Sequence, residues 1–176
     1  MHRAAVRCRL TCDLELQSHA SRLRDEHLLM HDTPDAGSVV VGTWRLLSYE
    51  VEVRSTGECF PAMGDTPTGY TIFSPGGRVW FMLTGDGREA GDSDQEQARL
   101  LETLIAYTGR YRIEGDDWIT AVDVAWNPAW VGTEQRRQFA LDRDRLRVLT
   151  PWRVMPNWAE QGETRSIVTF ERAADA

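Results

Sequence analysis

The chain has 176 residues, carries a formal net charge of −7, and is 41% hydrophobic. This length suits one domain with a sizeable core and is short for two. The acidic balance argues against nucleic-acid binding, which needs clustered basic side chains. No apolar run reaches the roughly 18–20 residues of a membrane-spanning helix, and the N-terminus lacks the continuous apolar segment of a secretory signal. We therefore expect a cytoplasmic globular protein.

Two residue types are missing where common catalytic chemistry needs them. All 20 basic side chains are arginine, so the chain has no lysine for a Schiff base or a P-loop. All 4 histidines precede position 32, which removes imidazole chemistry from the rest of the sequence. Three cysteines, Cys8, Cys12 and Cys59, are too few for a disulfide scaffold. We expect no metal site and no cofactor.

Residues 1–38 differ in pattern from the rest and form an N-terminal extension. Five residues in it are spaced for one face of a helix: Leu16, Ala20, Leu23, His27 and Met30. Turn-forming residues from Thr33 to Ser38 end that pattern. Two interpretations stay open, a helix that docks or dimerises and a disordered leader that precedes an initiator at Met30.

From Val39 onward the hydrophobic pattern has a period of two, which is typical of β-strands. The predicted strands are 39–55, 67–74, 78–84, 107–114, 117–126, 134–142, 144–150 and 164–172. Eight antiparallel strands at this spacing fit a closed barrel, which has no free edge and can hold one small ligand. We predict an all-β fold over residues 39–173, an eight-stranded antiparallel up-and-down barrel, with a β-sandwich as the alternative.

One α-helix is predicted between the third and fourth strands. Ser93 and Glu96 have the spacing of a capping box, in which each satisfies a backbone N–H of the first turn. Apolar residues follow at helical spacing, at Ala98, Leu101, Leu104 and Ile105. Gly109 can end the helix, and we expect it to pack on the wall or an end of the barrel.

Four segments carry a resemblance to a known family. They are Gly42-Thr43-Trp44, the GYTIFSPGG stretch at 69–77, the NPAWVGTEQ stretch at 127–135, and Phe170-Glu171-Arg172. In this order, over roughly residues 39–173, they resemble the bacterial lipocalin-like domain family. The resemblance implies a small calycin-type barrel and small hydrophobic ligands, often of biosynthetic pathways, and it carries no common catalytic set.

The resemblance also implies structural roles for two residues. In lipocalin-type barrels a tryptophan at the start of the first strand plugs the closed end, and a late arginine stacks across it. Trp44 has that position here. Arg172 is its expected partner, with Arg165 as the alternative.

The candidate site residues are aromatic and polar side chains on the predicted strands and loops. The ligand-binding candidates are Tyr70, Trp80, Tyr111, Asp123, Trp126, Trp130 and Arg137. Asp123 and Arg137 are also the catalytic candidates, because an internal pair of this kind can orient a carbonyl or an enolate. The alternative is an ordinary surface pair on adjacent strands. Trp130 and Trp158 lie in loops that can cover a barrel mouth.

Three functions stay open at this point. The first is a carrier or sensor that binds a small hydrophobic molecule in the barrel interior. The second is a cofactor-independent cyclase or isomerase of secondary metabolism, acting on a polyketide-like intermediate through Asp123, Arg137, Tyr70 and Tyr111. The third is an interaction module with a packed barrel, and homodimerisation is compatible with each of them.

Overall fold

The computed structural model describes residues 6–7 and 39–174, which contain 11 strands in one antiparallel sheet. In chain order they are β1 (Val6–Arg7), β2 (Gly42–Val53), β3 (Glu58–Pro61), β4 (Thr68–Phe73), β5 (Arg78–Thr84), β6 (Leu104–Glu114), β7 (Asp117–Ala125), β8 (Glu134–Asp142), β9 (Arg145–Leu149), β10 (Arg153–Val154) and β11 (Glu163–Arg172). The remainder of the predicted N-terminal extension, with its helical spacing, lies outside the described residues.

The sheet closes into a barrel of eight strands. Its order is β2-β4-β5-β6-β7-β8-β9-β11, and β11 pairs back onto β2 from Val53–Thr164 to Trp44–Arg172. The predicted eight-stranded up-and-down barrel is therefore confirmed. The other three strands are short: β3 pairs with the second half of β2, β1 with β3, and β10 with the start of β11.

A bulge in β2 keeps apolar side chains inside along its whole length. Trp44 and Leu46 are buried two residues apart, but the next buried position is Tyr49, three residues further on. The pairing of β2 with β11 shifts its register at this point. An extra residue in one strand reverses the side that later residues face, so the strict period of two is interrupted without exposing the core.

One end of the barrel is closed around Trp44. This side chain is fully buried, and its indole N–H donates to the Val40 carbonyl over 2.8 Å. The Arg172 guanidinium lies 4.2 Å from the ring centroid and donates to the carbonyls of Val39 and Val41. The alternative partner, Arg165, stacks on another tryptophan and pairs with a glutamate.

The opposite end carries the long connections. The closed end has tight turns at 74–77, 115–116 and 143–144, whereas the other end has segments 62–67, 85–103, 126–133 and 150–162. We call this second end the open end. Loops that a rigid barrel positions are where binding residues are commonly found.

The helix α1 (Asp94–Glu102) begins as predicted but ends earlier. Ser93 Oγ accepts from the Glu96 N–H over 3.3 Å, and the Glu96 carboxylate accepts from the Ser93 N–H over 3.0 Å. The expected end at Gly109 is wrong, because the backbone from Leu104 onward pairs with β5. Sheet pairing overrides the local helical spacing here. No side chain of α1 is fully buried, so the helix buries no apolar face against the barrel.

A network of ion pairs covers part of the outer wall. Its members on β6, β7 and β8 are Arg112, Glu114, Asp117, Glu134 and Arg136. Ile119 lies opposite both arginines on the neighbouring strands and is fully buried. The arginine stems therefore shield an apolar residue on the outside of the barrel while their charged ends pair with carboxylates.

This network gives stability a defined pH dependence. Arg112 lowers the pKa of Glu134, and Arg112 and then Arg136 lower that of Glu114. A lowered folded-state pKa contributes stability above the ordinary glutamate value and loses it as pH falls through the lowered value. We expect Arg112→Gln to reduce the free energy of unfolding near pH 7, with the deficit shrinking below about pH 4.

Urea unfolding at a series of pH values measures this deficit. The control is Arg110→Gln, which removes the same charge from the same strand, where Arg110 donates to the Gly76 carbonyl. A deficit of Arg112→Gln that stays constant from pH 7 to the acid limit would contradict the assigned role of the carboxylates.

Candidate functional site

A small cavity lies in the barrel interior towards the open end. Its volume is about 30 Å³, which is room for one or two water molecules. Its lining includes aromatic and basic side chains, namely Tyr49, Phe81, Tyr107, Trp130, Arg137 and Arg153. We call it the mouth cavity.

Arg137 supplies a buried positive charge to the mouth cavity. The residue faces inward from β8 and is only 9% exposed. Its Nη1 donates to the Arg136 carbonyl over 2.9 Å, and its Nη2 donates to Gln135 Oε1 over 3.1 Å. Both acceptors are neutral, and within the described part of the chain no carboxylate pairs with this guanidinium.

A chain of hydrogen bonds connects Arg137 to the loop that carries Trp130. Gln135 accepts from Arg137 and donates through Nε2 to Thr133 Oγ1 over 3.1 Å. Thr133 Oγ1 in turn donates to the Trp130 carbonyl over 2.8 Å. At the start of this loop, Asn127 Oδ1 accepts the N–H two residues on and begins a single 3-10 turn. The 127–135 segment thus both builds the loop and holds the guanidinium.

Aromatic rings enclose the cavity on its open side. Trp130 meets Tyr107 edge-on at a centroid distance of 5.8 Å, and Tyr107 stacks on Phe81 at 5.0 Å. Trp130 also contacts Trp126 edge-on at 6.1 Å. Trp158 packs against a phenylalanine of β3 at the same end. Trp130 therefore lies between the cavity and the outside.

Two tyrosine hydroxyls belong to the same region. Tyr49 Oη lies 2.7 Å from Ser166 Oγ, whereas Tyr107 Oη is buried and its proton has no acceptor among the described residues. The Arg137 side chain lies beside Tyr107 Oη and can only donate to it. Burial raises the pKa of both phenols. The hydrogen bond with Ser166 and then the Arg137 charge partly oppose this at Tyr49, and the charge and hydrogen bonding of Arg137 do so at Tyr107. Both hydroxyls stay protonated at neutral pH, and that of Tyr107 is free to donate.

The structure separates the predicted pair of Asp123 and Arg137. Asp123 lies on the outer wall, where its two carboxylate oxygens accept from Arg78 over 2.9 and 2.6 Å. That pairing lowers the pKa of Asp123. The expected internal pair is not formed, because Asp123 shares the face of β7 that carries Ala121, and this face is the exposed one.

Three aromatic candidates lie on the outside of the barrel instead. Tyr70, Trp80 and Trp126 line a groove of about 850 Å³ on the outer face of β4–β7. Tyr70 and Trp80 are about half exposed, at 49% and 52%. We call this the outer groove. It lies on the outer wall, and Phe81 and Tyr107 border both the groove and the mouth cavity.

The last candidate, Tyr111, is interior but lies in the closed half. Its hydroxyl donates to the Ser74 carbonyl over 3.3 Å, and its ring meets Phe73 edge-on at 5.0 Å. It therefore does not adjoin the mouth cavity. Of the predicted ligand-binding residues, the structure brings Arg137 and Trp130 together there.

Sequence patterns missed both tyrosines and one of the two arginines of the mouth cavity. Tyr49 faces inward only because β2 has a bulge before it, and Tyr107 lies in a strand whose alternation does not tell which face is inside. Arg153 lies in β10, a strand of two residues that no sequence periodicity can reveal. The common signal that was available is their residue type, since arginine and tyrosine are polar groups suited to a pocket.

The described residues hold no group of three or more histidine, cysteine, aspartate or glutamate side chains arranged for a metal ion. Within the same residues, no helix has the length and apolar content needed to cross a bilayer.

A closed eight-stranded up-and-down barrel, plugged at one end by tryptophan and arginine and lined with polar groups near the other, defines a calycin-type barrel protein. Residues 41–173 match the sequence model of the family described as lipocalin-like domain, and the chain belongs to that family. An uncharacterized protein from Bacteroides eggerthii DSM 20697 is similar in structure, with 12% identity and a TM-score of 0.36 over 76% of this chain and 98% of that one. No curated protein matches the chain.

Proposed function

We propose that this protein binds a small, largely apolar molecule in the open end of the barrel, at the mouth cavity. The observation that carries the proposal is the unused bonding capacity inside: the Arg137 charge and the Tyr107 hydroxyl, surrounded by aromatic walls. Small-molecule sites typically combine apolar walls with a few convergent polar groups.

Binding requires the open end to widen. The mouth cavity of about 30 Å³ is far below the roughly 300–1,000 Å³ of common ligand pockets. Trp130 lies in a loop and Arg153 in an exposed strand of two residues, so these two side chains are the parts that can move outward. A bound molecule then occupies the space that they vacate above Arg137.

The outer groove is larger, but it is less suited to a specific ligand. Its lining contains aromatic, aliphatic and threonine side chains and no charged one. Such a surface offers apolar contact area to a ligand but no charged group that would fix the orientation of the ligand. We therefore place the ligand inside and use the outer groove as the control site.

Binding is favoured over catalysis by the chemistry of the cavity. A cyclase or isomerase needs a group that moves a proton, and no carboxylate or imidazole lines the described mouth cavity. Asp123, the carboxylate predicted to take part in such catalysis, lies on the outer wall with Arg78. A carrier or sensor of a small hydrophobic molecule needs only the walls and the donors that are present.

Native mass spectrometry of the protein purified from its own host tests the proposal. Ile105→Trp fills the rim of the mouth cavity, and Met82→Glu places a charge in the outer groove, where Met82 is 58% exposed. We expect wild type and Met82→Glu to retain a bound molecule and Ile105→Trp to lose it, with circular dichroism confirming that each variant is folded. Loss in Met82→Glu alone would move the site to the outer groove, and an empty wild-type barrel would overturn the proposal.

A further inference from the structure

Arg137 is the most buried arginine of the described residues, and no carboxylate of those residues pairs with it. Seven other described arginines pair with acidic side chains, at Arg45, Arg54, Arg78, Arg112, Arg136, Arg165 and Arg172. Among the described arginines Arg137 alone is buried, and its hydrogen-bond acceptors are both neutral. An uncompensated buried charge costs several kcal/mol, so this arrangement opposes stability and points to a ligand.

A second positive charge reaches the same cavity. Arg153 lines the mouth cavity together with Arg137. Arg153 is exposed over much of its surface, but partial desolvation of its guanidinium lowers its pKa, and repulsion by Arg137 lowers it further. Two like charges that share a small space without a carboxylate between them form a site of positive potential, which an anion relieves.

A neutral donor completes the arrangement. The Tyr107 hydroxyl is buried and has no acceptor for its proton among the described residues, since the Arg137 side chain beside it can donate but not accept. Oxyanions are bound best by a guanidinium that can use two N–H groups together with additional donors. Tyr107, Arg137 and Arg153 all line the mouth cavity of about 30 Å³.

We propose that Arg137, Arg153 and Tyr107 form a subsite for the carboxylate of an otherwise apolar ligand, with the apolar body extending past Phe81 and Trp130 to the open end. This inference rests on the proposed function and narrows its ligand class to apolar carboxylic acids. The roughly 30 Å³ of the cavity suits the head group alone, and the body then replaces the Trp130 side chain at the rim.

Isothermal titration with matched ligand pairs tests the subsite. The probes are trans-cinnamate against cinnamyl alcohol and decanoate against decanol, each pair sharing its apolar body. We expect wild type to bind each carboxylate about tenfold or more tightly than its alcohol, the range for charge-assisted hydrogen bonds. Arg137→Met should remove this preference, because it weakens binding of the carboxylate and leaves the Kd of the alcohol within about threefold of the wild-type value.

Two further variants make the test specific. Arg136→Met removes the same charge from the neighbouring outward position, where Arg136 pairs with Asp117, and should keep the preference. Tyr107→Phe should reduce it by a smaller factor than Arg137→Met. Thermal unfolding checks that the variants fold, and Arg137→Met is expected to melt no lower than wild type, because it removes an unpaired buried charge.

The outcomes separate the subsite from the proposed function. Equal binding of acid and alcohol by wild type, unchanged in Arg137→Met, would overturn the subsite and leave small-molecule binding in place. Absence of binding by all four probes would overturn both. If Arg136→Met loses the preference for carboxylates as completely as Arg137→Met does, the preference comes from the overall charge of the protein, and the subsite would also be overturned.

Discussion

Trp44→Ala lowers the free energy of unfolding by about 3–5 kcal/mol, the range for truncating a buried tryptophan. The side chain is fully buried, its N–H bonds to Val40, and Arg172 stacks on its ring at 4.2 Å. Alanine leaves a cavity, an unpaired carbonyl and an unsupported guanidinium at the closed end. Chemical denaturation monitored by circular dichroism measures the loss.

The matched control is Trp80→Ala on the outer wall. Trp80 is 52% exposed and lies in the outer groove, so we expect a loss of about 1 kcal/mol or less. Arg172→Met should lie between the two, because it removes the stacking and two hydrogen bonds but retains the indole. A loss below about 1 kcal/mol for Trp44→Ala would show that tight turns alone close this end.

The strands were predictable because their alternation has a direct physical cause. One face of each barrel strand lies against the apolar interior and the other faces solvent, so apolar and polar residues alternate along the strand. β5 and β8 have the predicted bounds, 78–84 and 134–142. The helix end was not predictable from spacing, since Leu104 and Ile105 fit both a helix face and the first residues of a strand that pairs with β5.

The site was only partly predictable, for a reason of register. Sequence alternation placed Arg137 with Gln135 and Phe139 on one face of β8, and the structure puts that face inside. Alternation does not tell which face of β7 is interior. The sequence therefore predicted a pair between Arg137 and Asp123, whose carboxylate lies on the outer wall. Tyr49 and Tyr107 reach the cavity from strands far apart in sequence, a relation that depends on closure of the whole barrel.

Gly109→Ala lowers the free energy of unfolding by about 3 kcal/mol, at the upper end of the cost of overpacking. A Cβ at Gly109 would overlap the carbonyl oxygen and carbon of Ala121 on the paired strand. These are backbone atoms of a closed barrel, so they cannot move aside as a flexible side chain does. The register between β6 and β7 shifts at this residue, and Ala would disrupt that bulge.

The bulge opposite Gly109 lies two residues from Tyr107, which lines the mouth cavity. It leaves Asp123 without a partner on β6 and turns Val124 outward, where it is 61% exposed, while Tyr107 stays buried two residues before the glycine. We therefore expect Gly109→Ala to weaken binding of any interior ligand as well as stability. Gly115→Ala is the control, with a positive φ of 61° and open space around its Cβ, and should cost about 1 kcal/mol by backbone strain alone. Equal losses in the two variants would mean that the close approach of β6 to β7 does not explain the glycine at 109.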